Sequence, residues 1–197
     1  MKLRFVTSSK SLIALCSLLV SLIHFDARAA LPTAIDSAVN PANNHTYYLL
    51  SNSTWTDAES AAISLGGHLA TINDLAENSW VWNRWGTGHS LWIGLNDAAV
   101  EGTFVWANGE PVSFTHWNSG EPNNGAGFSD EDYTYILANG QAADGVWNDY
   151  QNLATVDPQP QLFGVVEVVP EPSTAVFLVS GMLIGLIGKK KIQRSTR

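Results

Sequence analysis

WNSGEPN at residues 117–123 and WND at residues 147–149 are the most informative stretches of this chain. Each begins with tryptophan, which favours a buried anchor, and continues with carboxylate or amide oxygens on residues typical of turns. The acids Glu131 and Asp132 lie between them. Ca²⁺ takes about six to eight oxygen ligands from such loops, whereas zinc and copper favour His or Cys. We therefore expect a calcium site, with candidate ligands Glu121, Asn123, Glu131, Asn148 and Asp149.

The residues around these loops predict two helices among short strands. A capping box at Thr56–Glu59 predicts the start of the first helix, and Asn73 is expected to cap a second helix that ends at Trp85. Strands are expected at 45–51, 68–72, 91–96, 104–107, 133–137, 145–147 and 163–168. Early helices followed by strands and long loops predict an α+β fold. All eight tryptophans lie between residues 55 and 147, where core packing is their default role.

Several motifs in a fixed order resemble the C-type lectin domain, over residues 43–168. They are GGHLA at 66–70, WIGL at 92–95, Glu-Pro-Asn at 121–123 after Trp117, and WND at 147–149. The resemblance implies the C-type lectin-like fold, with two helices, short antiparallel sheets and long calcium-binding loops. In that family the Glu-Pro-Asn and Trp-Asn-Asp loops bind Ca²⁺, and the vicinal hydroxyls of a sugar coordinate the same ion. By this resemblance Glu121, Asn123, Glu131, Asn148 and Asp149 hold the principal Ca²⁺ and bind the carbohydrate.

The resemblance also implies finer features of the site. Glu-Pro-Asn is the family's mannose, glucose and fucose type, and a cis peptide is expected at Pro122. An auxiliary calcium site would involve Asp97, Glu101, Asn124 and Asp132, with Asp130 as a substitute for the carboxylate that position 124 lacks. The chain departs from the family pattern by about two extra residues between Asn123 and Glu131. The family's usual cysteine positions are Ala62, Tyr133, Asn152 and Val166 here, so the domain is expected to have no disulfides.

Both ends of the chain have features typical of targeting signals. Residues 1–29 combine a basic start, an apolar stretch and Ala27-Arg28-Ala29, which is typical of a cleaved signal peptide. Residues 30–42 form an N-terminal extension without a predicted element. At 169–197, Pro170-Glu171-Pro172, a short apolar segment and a basic tail resemble the PEP-CTERM sorting signal of Gram-negative bacteria. That resemblance implies a transient anchor in the inner membrane, processing by an exosortase, and delivery to the envelope or outside. A plain single-span anchor is the alternative.

The charge distribution excludes some function classes. Arg84 is the only Lys or Arg in residues 31–170, and 16 of the 18 acids lie there, so this stretch has a formal charge of −15. Such a surface repels phosphate backbones, which excludes a nucleic-acid partner. A glycosidase built on Asp130, Glu131 and Asp132 is a weaker alternative, because acid pairs are common on acidic surfaces. The sequence favours an exported calcium-dependent binder of glycans or exopolysaccharide, and the alternative is a protein-binding or matrix module with purely structural calcium.

Overall fold

The computed structural model describes residues 30–127, 129–140, 145–153 and 161–170. The predicted signal peptide at 1–29 and residues 171–197 of the predicted sorting signal lie outside these ranges. Within the ranges, no helix combines the length and the apolarity that crossing a membrane requires.

Two helices and eight strands make up the described part of the chain. The helices are α1 (Trp55–Ser64) and α2 (Leu75–Trp85). The strands are β1 (Ala34–Val39), β2 (Thr46–Asn52), β3 (His68–Leu69), β4 (Ser90–Asn96), β5 (Val105–Trp106), β6 (Tyr133–Ile136), β7 (Trp147–Tyr150) and β8 (Leu162–Val168). This content confirms the predicted α+β class.

The strands form one mixed sheet in the order β1-β2-β8-β4-β6-β7, with β3 beside β8 and β5 beside β4. The sequence predicts short antiparallel sheets, but β8 inserts between β2 and β4 and pairs with β4 in parallel. The C-terminal strand therefore joins the strands into one layer. The long segment between β5 and β6 and the polar residues of β7 lie at the β6–β7 end of this sheet.

Both helices begin at caps other than the predicted ones. The cap of α1 is Thr54, whose hydroxyl accepts the Asp57 backbone N–H at 3.2 Å, so the capping box predicted at Thr56 is wrong. The earlier start buries Trp55, whose Nε1 donates to the Ile93 carbonyl at 2.8 Å. The cap of α2 is Asp74 and not Asn73. A carboxylate is a strong cap, because it also interacts favourably with the positive end of the helix dipole.

Part of the N-terminal extension belongs to the sheet. The sequence predicts no element in residues 30–42, yet β1 pairs antiparallel with β2. Asp36 fixes this edge strand to α2, because its carboxylate accepts Arg84 Nη2 at 2.8 Å and Trp85 Nε1 at 2.9 Å. These contacts, together with the Ser37 backbone N–H, hold the pKa of Asp36 below its usual range. Apolar patterning in this stretch is weak, which is why the strand escapes sequence analysis.

Two hydrophobic clusters lie on opposite sides of β4, and the WIGL motif contributes to both. Ile93 and Leu95 are buried in the first cluster and Trp92 in the second, as strand alternation requires. Gly94 has no room for a side chain, since an added Cβ would lie 2.5 Å from the Leu69 carbonyl oxygen. The predicted role of the tryptophans is confirmed. Trp55, Trp85, Trp92, Trp106 and Trp147 are buried, and Trp80, Trp82 and Trp117 pack partly buried against the first cluster.

Packing and hydrogen bonds occupy the four positions that the resemblance assigns to cysteines. Ala62 and Val166 are both fully buried in the second cluster, and the Tyr133 ring packs against Trp55 with centroids 4.8 Å apart. At the fourth position, Asn152 hydrogen-bonds Thr56 through both its carbonyl and its amide. Apolar packing and hydrogen bonds therefore replace the covalent links.

Two buried glutamates share the hydroxyl of Tyr47. Glu77 and Glu167 are each only 7% exposed, and the Tyr47 hydroxyl contacts Oε1 of both, at 2.9 Å for Glu167. His45 Nδ1 lies 2.6 Å from Glu167 Oε1, and Asn43 donates to the Tyr47 oxygen. Burial, with repulsion from Glu167 and Asp74, raises the pKa of Glu77 despite the Tyr47 hydrogen bond. A single phenolic proton is thus shared by two carboxyls, and the Asn43 amide and the Asn73 N–H are further donors to Glu77.

We predict that Glu77→Gln makes stability less dependent on pH. A carboxyl whose pKa is raised in the folded state stabilises the fold fully below its unfolded value, here 4.5, and less as the pH rises through the folded value. A glutamine side chain at this position imitates the protonated acid at every pH. Urea unfolding of both proteins from pH 4 to pH 8 measures the effect. The free energy of unfolding of the variant should increase relative to that of the wild type as the pH rises. Parallel stability profiles would contradict the shared-proton arrangement.

Candidate functional site

A tryptophan cluster forms the floor beneath the two informative loops. Trp147, the first residue of β7, is fully buried, and its Nε1 donates to Asn78 Oδ1 at 2.7 Å. The ring centroids of Trp106 and Trp117 lie 6.0 and 5.9 Å from that of Trp147, both edge-on. The backbone N–H of Trp147 donates to the His116 carbonyl, and the N–H of Asn118 donates to the Trp147 carbonyl. The backbone of the WNSGEPN loop is therefore held directly beside β7.

This pairing brings Glu121, Asn123 and Asp149 together. Asp149 is 1% exposed, and its carboxylate accepts the backbone N–H groups of Asn123 at 3.0 Å and Asn124 at 2.8 Å. The Glu121 carboxyl lies near Asp149, whose charge contributes to raising the Glu121 pKa after the larger effect of burial, and near Asn123, which lowers it. The Glu121–Pro122 peptide bond is cis, as the resemblance implies. Three of the five predicted principal ligands thus form one contiguous group.

The other two predicted ligands, Glu131 and Asn148, flank this group. Glu131 precedes β6 and is buried; its Oε2 accepts the Gly125 N–H at 2.8 Å and its Oε1 accepts the Ser129 hydroxyl at 3.1 Å. Asn148 on β7 uses its amide to donate to the Asp149 carbonyl at 2.8 Å. The same amide lies 3.5 Å from the Tyr135 hydroxyl. Repulsion from Asp149 raises the pKa of Glu131, after the larger effect of burial.

The inserted segment between Asn123 and Glu131 folds back onto these side chains. Residues Asn124–Gly127 form a short 3₁₀ turn in which Gly125 and Ala126 have φ of +58° and +55°. The Ala126 N–H donates to Asn123 Oδ1 at 2.7 Å. Asn124 Oδ1 accepts the Glu131 N–H at 2.7 Å. The extra residues are evident in the sequence, but the contacts of Ser129 and of this turn are not, since their only signal is the glycine spacing at 125 and 127.

The carboxylates of this region lack a balancing cation in the described part of the chain. Burial is the largest influence on Glu121 and, with repulsion from Asp149, raises the pKa of Glu121 to about 7. Burial and neighbouring acids also raise the pKa of Asp97 and of Asp132. Arg84 is engaged with Asp36. Buried oxygens of Glu121 (Oε2) and Asp97 (Oδ1) have no hydrogen-bond partner. An all-oxygen, negatively charged and undersatisfied donor set fits a hard divalent cation such as Ca²⁺.

A second acidic group adjoins the first. Glu101, Asp130 and Asp132 each place a carboxylate oxygen within 4.8 Å of the others. Of the predicted auxiliary set, Asn124 is engaged with Glu131, and Asp97 Oδ2 accepts the Gly102 N–H at 2.8 Å. A cavity of about 240 Å³ connects the two groups, and its lining includes Asp97, Glu101, Asn123, Asn124 and Asp149. Asp130 thus lies with Glu101 and Asp132, although the sequence suggests it only as a substitute ligand.

Comparison with known proteins agrees with this architecture. A family model described as the lectin C-type domain matches residues 51–154. The barnacle Megabalanus rosa has a similar protein, lectin BRA-3, 38% identical over 97 residues that cover 48% of this chain and 56% of that protein. The mouse low affinity immunoglobulin epsilon Fc receptor is 33% identical over 134 residues, which cover 65% of this chain and 40% of the receptor. The chain thus spans about half the length of these relatives.

A solved structure of a cow protein shows the same fold. The C-type carbohydrate-recognition domain of cow CD23, crystallised in the presence of a GlcNAc2Man3 oligosaccharide, superposes with a TM-score of 0.54 at 27% sequence identity. The match covers 65% of this chain and 90% of that domain. The family fold is carbohydrate-binding and non-enzymatic, which excludes the glycosidase alternative. From the family match, the arrangement of its motifs and this fold, we conclude that the chain belongs to the C-type lectin domain family.

Proposed function

We propose that this protein binds carbohydrate through a Ca²⁺ ion and prefers mannose, glucose or fucose. The proposed ligands of the principal ion are Glu121, Asn123, Glu131, Asn148 and Asp149. The observation that carries the proposal is the pair of buried carboxylate oxygens, Glu121 Oε2 and Asp97 Oδ1, that have no hydrogen-bond partner among the described residues. The Asp149 carboxylate lies close enough to Glu121 to raise its pKa, after the larger effect of burial. Two neighbouring carboxyls repel each other once both are ionised. A divalent cation bound between the carboxylates relieves that repulsion and so stabilises this arrangement of the loops.

The side chains around the ion would recognise two neighbouring hydroxyls of a sugar. A bound Ca²⁺ supplies coordination to these two hydroxyl oxygens. The carboxylates of Glu121 and Glu131 accept hydrogen bonds from the hydroxyl protons, and the amides of Asn123 and Asn148 donate to the hydroxyl oxygens. A sugar with a different hydroxyl geometry leaves some of these groups unpaired, which is costly. The Glu-Pro-Asn order supports the mannose-type preference by its resemblance to the family motif.

The proposed setting is the cell envelope or the exterior. This part of the proposal rests on the sequence of residues 1–29 and 169–197, with an exosortase and the inner membrane as transient partners. A shallow site binds a single sugar weakly, so an exopolysaccharide or another clustered glycan is the proposed natural ligand.

Retention on immobilised mannose tests the proposal. The protein should be retained in calcium and released by EDTA. A calcium-dependent rise in melting temperature without retention on mannose would favour the protein-binding or matrix module with structural calcium. Absence of any response to calcium in both measurements would overturn the proposed site.

Asn148→Ala should abolish retention on mannose and weaken calcium binding while the metal-free fold stays intact. Its side chain makes only two hydrogen bonds within the described chain, at 2.8 and 3.5 Å, so little folding energy is lost. Asn139→Ala serves as the matched control and should be retained like the wild type, because Asn139 is exposed and follows the end of β6 remote from Glu131. Full calcium-dependent retention of Asn148→Ala would contradict the ligand assignment.

A further inference from the structure

A cleft of about 440 Å³ lies beside α2, away from the acidic loops. Its lining residues are Leu75, Ser79, Trp82, Asn83 and His116. The first four are spaced along one face of α2, as the helical repeat requires, and His116 belongs to the segment held against β7. Its volume is in the range of small-ligand sites, about 300–1,000 Å³. The metal-binding proposal uses none of these residues.

Trp82 forms a fixed aromatic wall of the cleft. Its Nε1 donates to the Leu137 carbonyl at 3.1 Å, which orients the indole. Two glycines pack closely against the ring, since an added Cβ would lie 2.3 Å from a ring atom at Gly86 and 2.7 Å at Gly145. Larger residues at either position would collide with the indole. The ring is therefore held in place before any ligand arrives, which lowers the entropy cost of binding.

The rest of the lining is polar and includes a serine hydroxyl, an asparagine amide and a histidine ring. The Ser79 hydroxyl and the Asn83 amide make no hydrogen bond to other described residues and are available to a ligand. His116 Nε2 is buried and has no partner among the described residues, so this ring serves as a wall of the cleft. Asp, Glu, Lys and Arg are absent from the lining. Leu75, 53% exposed, adds an apolar edge. A fixed aromatic ring with neutral donors and acceptors around it suits a ligand that has apolar C–H faces and many hydroxyls.

We propose that this cleft is a second carbohydrate contact, independent of calcium, for a unit of a neutral polysaccharide. A charged glycan would find no counter-charge in the lining, and the −15 charge of residues 31–170 repels acidic polymers. The cleft shares its supporting segment with the acidic loops, because His116 and Asn118 both pair with Trp147. One polymer chain reaching both contacts gains affinity through effective concentration. The proposal does not rest on the calcium site.

Calorimetric titration with mannohexaose and maltohexaose in EDTA tests the cleft alone. The full chain is kept in a detergent without a sugar headgroup, so that the micelle offers no competing ligand. We expect binding of at least one hexasaccharide with a dissociation constant on the order of millimolar. Asn83→Ala and Ser79→Ala should each weaken it by about three- to tenfold, the worth of one hydrogen bond. Both side chains lack described partners, so melting temperatures should stay unchanged.

Matched variants separate this proposal from the calcium-dependent one. Asn148→Ala should bind the hexasaccharide in EDTA like the wild type, and Thr87→Ala, an exposed change just beyond α2, is the surface control. If the wild type is not retained on mannose in calcium but binds the hexasaccharide in EDTA, only the proposed function fails. Absence of binding in EDTA, or binding unaffected by Asn83→Ala and Ser79→Ala, would overturn the cleft proposal. Displacement of the sugar by a neutral unstructured peptide would also overturn it, in favour of a protein-docking face.

Discussion

Replacing Trp147 by alanine is expected to lower the free energy of unfolding by about 3–5 kcal/mol. The side chain is fully buried between Trp106, Trp117 and Phe114, and its indole N–H is hydrogen-bonded to the buried Asn78. The substitution leaves a cavity and an unpaired amide oxygen at once. Because domains are stable by only about 5–15 kcal/mol, much of the variant should be unfolded or close to it. Urea unfolding followed by far-ultraviolet circular dichroism measures the effect.

Trp147→Phe separates the contribution of ring packing to the free energy of unfolding from that of the indole hydrogen bond. Phenylalanine keeps an aromatic ring in the cluster but leaves Asn78 Oδ1 without its donor, which costs about 1–3 kcal/mol. The phenylalanine variant should therefore lie between the wild type and the alanine variant. A loss below about 1 kcal/mol for Trp147→Ala would mean that the cluster is not the support of the loops.

Asp149→Asn is expected to reduce calcium affinity by at least about 100-fold, and calcium-dependent sugar binding with it. Asp149 lies near Glu121 and also accepts two backbone N–H groups of the Glu-Pro-Asn loop. An asparagine of the same shape removes the charge that attracts the cation and places an amide group near those donors. It also removes the Asp149 charge that helps to raise the pKa of Glu121. The metal-free protein therefore loses repulsion together with hydrogen bonds.

Calcium titration and melting curves with and without calcium measure this effect. Asp57→Asn serves as the control, because Asp57 is a partly exposed carboxylate at the start of α1 whose side chain bonds only Thr54 among the described residues. Its calcium affinity should equal that of the wild type. An undiminished calcium-dependent rise in melting temperature for Asp149→Asn would remove Asp149 from the ligand set.

Elements with strong local signals are predictable from this sequence. The buried run of β4 and the apolar run of β8 agree with the structure to within one residue, and the second helix ends at Trp85 as expected. The strand expected at 145–147 is wrong, because Gly145 has a φ of +66° and the strand begins only at Trp147. The parallel pairing of β4 with β8 is likewise hidden, since a residue pattern identifies strands and not their neighbours.

The candidate site also has features that the sequence predicts and features that depend on the folded chain. The chemistry of the candidate ligands follows from residue types, and the structure brings the Asn123 backbone and the Glu121 carboxyl next to Asp149. Other features depend on the path of the chain. Asp130 joins Glu101 and Asp132, and Ser129 and Gly125 contact Glu131 through an insertion whose shape depends on left-handed backbone conformations. The Trp82 cleft gives no signal in the sequence, because α2 and the His116 segment meet only in the folded sheet.

The replacement of cysteine by packing at Ala62, Val166, Tyr133 and Asn152 makes the fold independent of redox potential. Cys16 is the only thiol of the chain and lies in the predicted signal peptide. The domain therefore needs no oxidase or isomerase to mature, and reducing agents have no covalent link to break. Without each cross-link the unfolded chain keeps more conformational entropy. This entropy opposes folding by about 3–5 kcal/mol for each missing disulfide. Tight side-chain packing must offset that entropy. The thermal stability of this lectin domain therefore depends on its aromatic core.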